Sequence, residues 1–196
     1  MTFMRTLLLM LLLPALAGAS SIRQLDLQTL TDTAELVFQG RVVASKVIHP
    51  PGSRVLRTQI TFEVEEVIKG DYPNETLTLS FLGGSLGGRS LRVTDLTLPK
   101  VGEEGIYFVE STTRPMVNPL VGWHQGHYLI ERTAGQERMT TSEGEPLYGI
   151  EGRRALRSWG ISTRGAALGL RLEAADPKEK PLTPAQFKAQ LQELMQ

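Results

Sequence analysis

Between Leu36 and Leu82 the chain reads LVFQGRVVASKVIHPPGSRVLRTQITFEVEEVIKGDYPNETLTLSFL, three strand-like stretches parted by turns that carry proline and glycine. Side chains of a strand alternate between its faces, so a wall with one wet side alternates in polarity. Ile60, Phe62 and Val64 fall on one face, while Gln59, Thr61, Glu63 and Glu65 fall on the other. A helix would spread the same residues around its circumference. Val67 is apolar where strict alternation from Val64 demands a solvent-facing residue, which predicts a bulge near Glu65 and Glu66. Leu77, Leu79 and Phe81 resume the two-residue period, and Lys69 to Asn74 supplies the turn chemistry of a hairpin. Such a meander has to close on further strands to bury its apolar face.

The remaining pattern supplies them. Ahead of the meander, Ile22, Leu25, Leu27, Leu30 and Ala34 recur at roughly helical spacing, with Asp26 and Asp32 as candidate caps, so a short helix is expected there. In the first strand Phe38, Gly40, Val42 and Ala44 share a face, and the glycine permits a bend or a close backbone approach. The glycine-rich stretch from Leu82 to Arg89 reads as a hairpin or barrel-edge loop. A phosphate cradle would need a helix after it, and strand-like SLRVTDLTL follows instead. Gly105-Ile106-Tyr107-Phe108-Val109 is apolar enough to be buried on both faces, and short runs around Trp123 and from Tyr128 to Glu131 complete the strands. Arg153, Arg154 and Arg157 lie with Leu156 and Trp159 in a predicted short helix, and Ala174 to Pro181 reads as a charged linker. Thr183-Pro184 then opens a final helix with Phe187, Leu191 and Leu194 on one stripe. The expected fold class is mainly β, a small closed or partly open barrel with a short N-terminal helix and a C-terminal helical extension.

Residues 1–19 carry a single cation, Arg5, then a leucine-rich run from Leu7 to Leu13, Pro14, and the small-residue end Ala17-Gly18-Ala19. That is the pattern of a signal peptide, with cleavage expected after Ala19. The apolar run is far shorter than the ~20 residues that span a bilayer, so export to the periplasm or medium is expected, without stable membrane insertion. The division that follows is a signal peptide at 1–19, a barrel domain at 20–142 and a C-terminal extension at 143–196. Over the 196 residues, 21 basic side chains balance 21 acidic ones, so no net field favours nucleic acid as a partner. Cysteine is absent, which excludes disulfides, thiolate metal sites and a cysteine nucleophile within this sequence and leaves stability to packing.

No catalytic, cofactor-binding or metal constellation emerges, and no enzyme or cofactor is expected. His124 and His127 are close in sequence, but a metal site needs three or four converging ligands and this segment reads as a turn. In that reading Trp123 and Tyr128 pack against the barrel while Gly126 gives the turn its backbone freedom. Gly83-Gly84-Ser85-Leu86-Gly87 has glycines at the offsets of a nucleophile elbow, without the strand-to-helix setting that exposes such a serine. Glu63, Glu65 and Glu66 would offer paired carboxylates for glycoside chemistry, but their alternation fits an exposed strand face. Asn74-Glu75-Thr76 is a formal glycosylation sequon.

AELVFQGRVVASKVIHP, TQITFEVEEVIKGDYPNETLTLSFLGG, VGEEGIYFVE and the segment WHQGHYLI together resemble a family of secreted bacterial proteins, over about residues 30–132. That family is similar to the oligonucleotide/oligosaccharide-binding (OB) barrel in the form seen in tissue inhibitors of metalloproteinases. The resemblance implies an OB-like barrel and a partner among secreted or envelope proteins, with a secreted metalloprotease the first candidate. Those inhibitors chelate the protease zinc through an N-terminal cysteine, whereas the mature chain is expected to start at Ser20. The residues expected to meet a partner are Ser20, Gly84, Ser85, Leu86, Arg89, Trp123, His124 and His127. The function expected is a non-enzymatic exported binding protein; the alternative is an envelope module for glycan or another small ligand.

Overall fold

The computed structural model describes residues 24–133, 135–151 and 165–196. The expected signal peptide, Ser20 and the arginine-bearing stretch from Arg153 to Trp159 lie outside the described residues. A helix α1 (Leu27–Thr33) precedes strands β1 (Leu36–Ile48), β2 (Arg57–Lys69) and β3 (Thr76–Leu82), which form the meander. A short ribbon β4 (Gly84–Leu86) and β5 (Arg89–Leu91) follows, then β6 (Glu104–Val109), a 3-10 turn at Trp123–Gly126, β7 (His127–Thr133) and β8 (Gln136–Thr141). Two short strands, β9 (Gly149–Ile150) and β10 (Leu170–Arg171), lead to helix α2 (Pro184–Leu194).

Among the described residues the main sheet has six antiparallel strands in the order β3-β2-β1-β6-β7-β8. No closed barrel forms among the described residues. Among the described residues the backbone of β3 is tied to the far side where the Leu82 N–H donates to the Val117 carbonyl at 2.9 Å. Its remaining edge has no strand beside it among the described residues. The bulge expected near Glu65 and Glu66 is present, since Gln39 pairs with Glu66 and Gly40 with Val64, leaving Glu65 unpaired. Two further slips leave Ile68 and Val43 unpaired in the same ladder, and each adds twist to the long β1–β2 hairpin.

The sheet separates two cores. On its aromatic face Phe38, Val42, Ile60, Phe62, Leu77, Leu79, Phe81, Tyr107 and Leu120 pack together. On the opposite face Val37, Ile106, Phe108, Tyr128, Ile130 and Met139 meet Leu27 and Leu30 of α1 and Phe187 and Leu191 of α2. β6 is buried along its whole length, as its unbroken apolar run predicts. Strand pattern does not persist everywhere it was expected. After Leu91 the backbone turns irregular and Asp95 takes a φ of 60°, so LRVTDLTL is a loop beyond its first residue. The run at Trp123 is a 3-10 turn.

Both helices start where the sequence places caps. The Asp26 carboxylate accepts the Thr29 N–H at 2.8 Å. Thr183 and Gln186 form a reciprocal capping box ahead of Pro184. The α1 end is held from the sheet, because Lys69 Nζ donates to the carbonyls of Thr31 at 2.6 Å and Ala34 at 2.7 Å, groups left open at a helix C-terminus. Lys188 ties α2 down through Gln39 Oε1 at 2.9 Å and the Glu66 carboxylate. Residues on both sides of position 142 therefore share one core.

Beyond α2 this face ends in charge. The Glu104 side chain, 4% exposed, accepts from Arg41 at 2.9 Å and from the two terminal guanidinium nitrogens of Arg132. The Arg132 hydrogen bonds hold its carboxyl below the usual range, against the opposing effect of burial. Replacing Phe187 by alanine is expected to cost about 3–5 kcal/mol in urea unfolding, the range for emptying a fully buried aromatic site, whereas a loss below about 1 kcal/mol would show α2 to be a loose appendage.

Candidate functional site

Within the described residues, those expected to meet a partner fall into two groups, one on the β4–β5 ribbon and one at the turn that leads into β7. The first is the β4–β5 ribbon, in which Gly84, Ser85 and Leu86 pair with Leu91, Ser90 and Arg89 across a turn of two left-handed glycines, Gly87 at φ 57° and Gly88 at φ 76°. Such turns match strand twist and give a tight hairpin. Gly84 anchors the ribbon, because a Cβ on it would lie 2.7 Å from Val47 Cγ1 and 2.9 Å from Thr58 Oγ1. The Ser85 hydroxyl pairs with Ser90 Oγ at 2.9 Å, a partner that cannot serve as a general base. Leu86 and Arg89 point outward, Leu86 with 45% exposure.

Two neighbouring loops share this end of the sheet. Gly83 N–H donates to the Leu56 carbonyl at 2.8 Å, and Thr58 Oγ1 to the Gly83 carbonyl at 2.9 Å. Arg57 reaches across to Ser80 Oγ at 2.7 Å and to the Met116 carbonyl. Burial lowers the Arg57 pKa from its ordinary value. Val55 and Val117, exposed like Leu86, stand on the loops so joined. Patterning alone did not single them out, since neither lies in a periodic run.

The second group surrounds the turn at Trp123. Gly122 and Trp123 both take left-handed backbone, at φ 59° and 62°, which is uncommon for a bulky side chain. The backbone freedom of the turn thus lies at Gly122. Gly126 serves close approach instead, as a Cβ there would sit 2.4 Å from the Val121 carbonyl oxygen. Trp123 is only partly buried, unlike Tyr128, which is fully buried in the helix-covered core with its hydroxyl oxygen accepting the Ala167 N–H at 3.2 Å. His124 is half-exposed and its carbonyl accepts from Ser142 Oγ at 3.2 Å.

His127 is the residue whose position the sequence did not reveal. Its ring stacks on Tyr107 at 4.8 Å between centroids, and Tyr107 in turn contacts Phe38 at 5.3 Å and Phe62 at 4.7 Å. Four strands thus contribute one ring each to a row across the aromatic face. Nε2 lies 3.9 Å from Glu103 Oε2, beyond hydrogen-bond reach, and neither it nor the Tyr107 hydroxyl has a hydrogen-bond partner. Burial pushes the imidazole from its ordinary 6.5 down to about 3, and the charge of Lys100 adds to the shift. The neutral ring makes the contact with Glu103 something other than an ion pair. Burial also raises Tyr107, helped by the carboxylates of Glu103, Glu104 and Glu65.

Compared with family models, curated proteins and solved structures, the chain matches none of them.

Among the described residues no three His, Asp or Glu side chains converge to hold a metal. A cleft of about 1460 Å³ lies between β8, β9, β10 and α2, bordered by Tyr148, Arg171, Gln186 and Gln190. Arg171 is already engaged there, clamped by the Glu179 carboxylate and donating to the Tyr148 carbonyl at 2.9 Å. The unfolded chain takes up the His127 proton as pH falls through 6.5, while the folded chain resists until about 3, so stability is lost on acidification in that window. His127→Phe keeps a ring in the row and removes the titration; between pH 6.5 and 5 the native protein is expected to lose about 2 kcal/mol more than the variant in denaturant titrations. Parallel pH profiles would contradict the burial of a neutral imidazole.

Proposed function

We propose that the protein is an exported, non-enzymatic binding module built on an OB-like sheet, whose partner is a secreted or envelope protein, with a secreted metalloprotease the first candidate. The observation that carries this reading is the apolar loop end, where Val55, Leu86 and Val117 are 38%, 45% and 41% exposed on adjoining loops. The loops that bear them are joined at Gly83–Leu56 and Leu82–Val117, and an apolar patch that is large and contiguous marks an interaction surface. Loops already held by hydrogen bonds to Leu56, Val117 and Met116 lose little further freedom on docking. With no cysteine available, contact would run through these side chains and the ribbon backbone instead of zinc chelation. The curl of the β1–β2–β3 meander until Leu82 touches Val117 supports the OB-like assignment.

A second reading, a module for glycan or another small ligand, is favoured by the cleft beside Tyr148 and Arg171. The two separate by experiment. Titration of the processed protein against a purified matrixin-type metalloprotease is expected to give binding or inhibition, weakened at least about tenfold by Leu86→Glu or Val117→Glu, since docking would bury an unpaired carboxylate. No binding, or binding indifferent to both substitutions, sinks the first reading. Glycan binding that survives both and disappears with Arg171→Ala would put the second in its place.

A further inference from the structure

On a chain of zero formal net charge, the loop end carries charge of one sign. Residues 42–62 and 76–94 contain no aspartate or glutamate, yet hold Lys46, Arg54, Arg57, Arg89 and Arg92. The two stretches meet at this end, where the Gly83 N–H donates to the Leu56 carbonyl and Val47 packs on Gly84. Lys46, Arg54, Arg89 and Arg92 are exposed, and none has a carboxylate partner among the described residues. Leu86 and Arg89 are direct cross-strand partners, so an aliphatic and a cationic side chain leave the ribbon on the same face. Arg54 and Val55 put the same two chemistries side by side on the neighbouring loop. Arg114 near Val117 differs, since it is already paired with Glu110 at 3.4 Å.

Arg57 stands where these loops join. Its Nε and Nη2 donate to Ser80 and to the Met116 carbonyl, all uncharged acceptors. Its Nη1 makes no hydrogen bond among the described residues and is open to solvent. Withdrawing a guanidinium partly from water is costly, and half-buried arginines ordinarily meet a carboxylate. Here the fork is held in place by three hydrogen bonds with its outer nitrogen still unused. A carboxylate arriving at Nη1 therefore costs little side-chain freedom.

Resting on the protein-partner reading above, we infer that the partner meets this end with an acidic surface, one carboxylate on Arg57 Nη1 and others facing Lys46, Arg54, Arg89 and Arg92 around the aliphatic contact with Val55, Leu86 and Val117. Composition separates this occupant from other anions. Residues 42–58, 82–94 and 111–119 hold no Phe, Tyr or Trp. Single-stranded nucleic acid is held by stacking on such rings, and three scattered aliphatic side chains bury too little apolar area to hold a lipid surface. A protein with carboxylates around an apolar centre uses both chemistries present. Charges at the rim of such a contact act mainly on the rate of encounter and on its salt dependence.

The test titrates the processed protein, by fluorescence anisotropy, against a short synthetic peptide that alternates glutamate with leucine. Binding is expected, absent for the lysine-for-glutamate peptide and weakened at least about tenfold between about 50 and 500 mM salt. Arg57→Lys, which keeps the charge and loses the fork, and Arg54→Glu and Arg89→Glu, on exposed side chains without partners, should each weaken it about fivefold or more. Lys178→Glu, the same change of charge on an exposed loop after β10, should leave it unchanged. A native protein that ignores the acidic peptide overturns the inference, as does equal weakening by Lys178→Glu, the sign of a diffuse charge effect. Phosphatidylglycerol vesicles that displace the peptide also overturn it, by assigning the surface to lipid. Protease binding that needs Leu86 but is indifferent to salt, Arg54→Glu and Arg89→Glu sinks the acidic partner and leaves the protease reading standing. Peptide binding of the expected kind with no protease bound does the reverse.

Discussion

Two glycines facing each other at the centre of the sheet set its shape. Gly40 of β1 is the direct partner of Gly105 of β6. A Cβ on Gly40 would stand 2.3 Å from the Glu63 carbonyl oxygen of β2, and one on Gly105 would stand 2.3 Å from the Tyr128 carbonyl oxygen of β7. Neither distance can be relieved by turning a side chain, because backbone is hit in both cases. The pair therefore lets four consecutive strands coil more tightly than side-chain-bearing residues allow, and the slips at Glu65 and Ile68 add twist close by. The Phe38 ring fills the space a side chain would take, with its Cε2 2.9 Å from that absent Cβ. From this coil follow the row of rings on one face and the reach of β3 toward Val117.

The same bend divides polar chemistry between the faces in opposite ways. On the helix-covered face a buried carboxylate, Glu104, is satisfied by two arginines whose outer parts remain in water. Charge is tolerable there because hydrogen bonds replace the lost solvent. On the aromatic face His127 and Tyr107 keep polar atoms unpaired and stay neutral, because burial removes the solvent that would stabilise their charged forms. A polar residue type in the sequence thus carries no fixed meaning until its neighbours across the sheet are known.

That dependence explains what patterning could and could not reach. Alternation in β2 and β3, the bulge by Glu65, the two-sided burial of β6 and the cap at Thr183 are all encoded within a few residues, and each is present. The run after Leu91 has strand-like composition but lacks a neighbour to pair with, so it remains a loop. Trp123 carries strand propensity, yet Gly122 before it and the close packing of Gly126 on Val121 impose a turn. Within the candidate site, the ribbon was legible from its glycines, whereas the joining of Val55 and Val117 to it depends on hydrogen bonds between segments distant in sequence. Whether six strands close or stay open is likewise decided by register over the whole meander.

The two cores differ in how much chain they need. The apolar side chains of the aromatic one come from Leu36 to Leu120, with the His127 ring stacked at its margin, while the helix-covered one unites Leu27 with Leu191. During synthesis the apolar part of the first can therefore assemble once residue 120 is free, with the His127 ring added next, and the second must wait for residues 182–191, leaving Ile106, Phe108 and Tyr128 uncovered in the interval. A nascent chain of this protein passes through a stage with one side of its sheet finished and the other bare. That is the stage at which a holding chaperone would have the most apolar surface to grip.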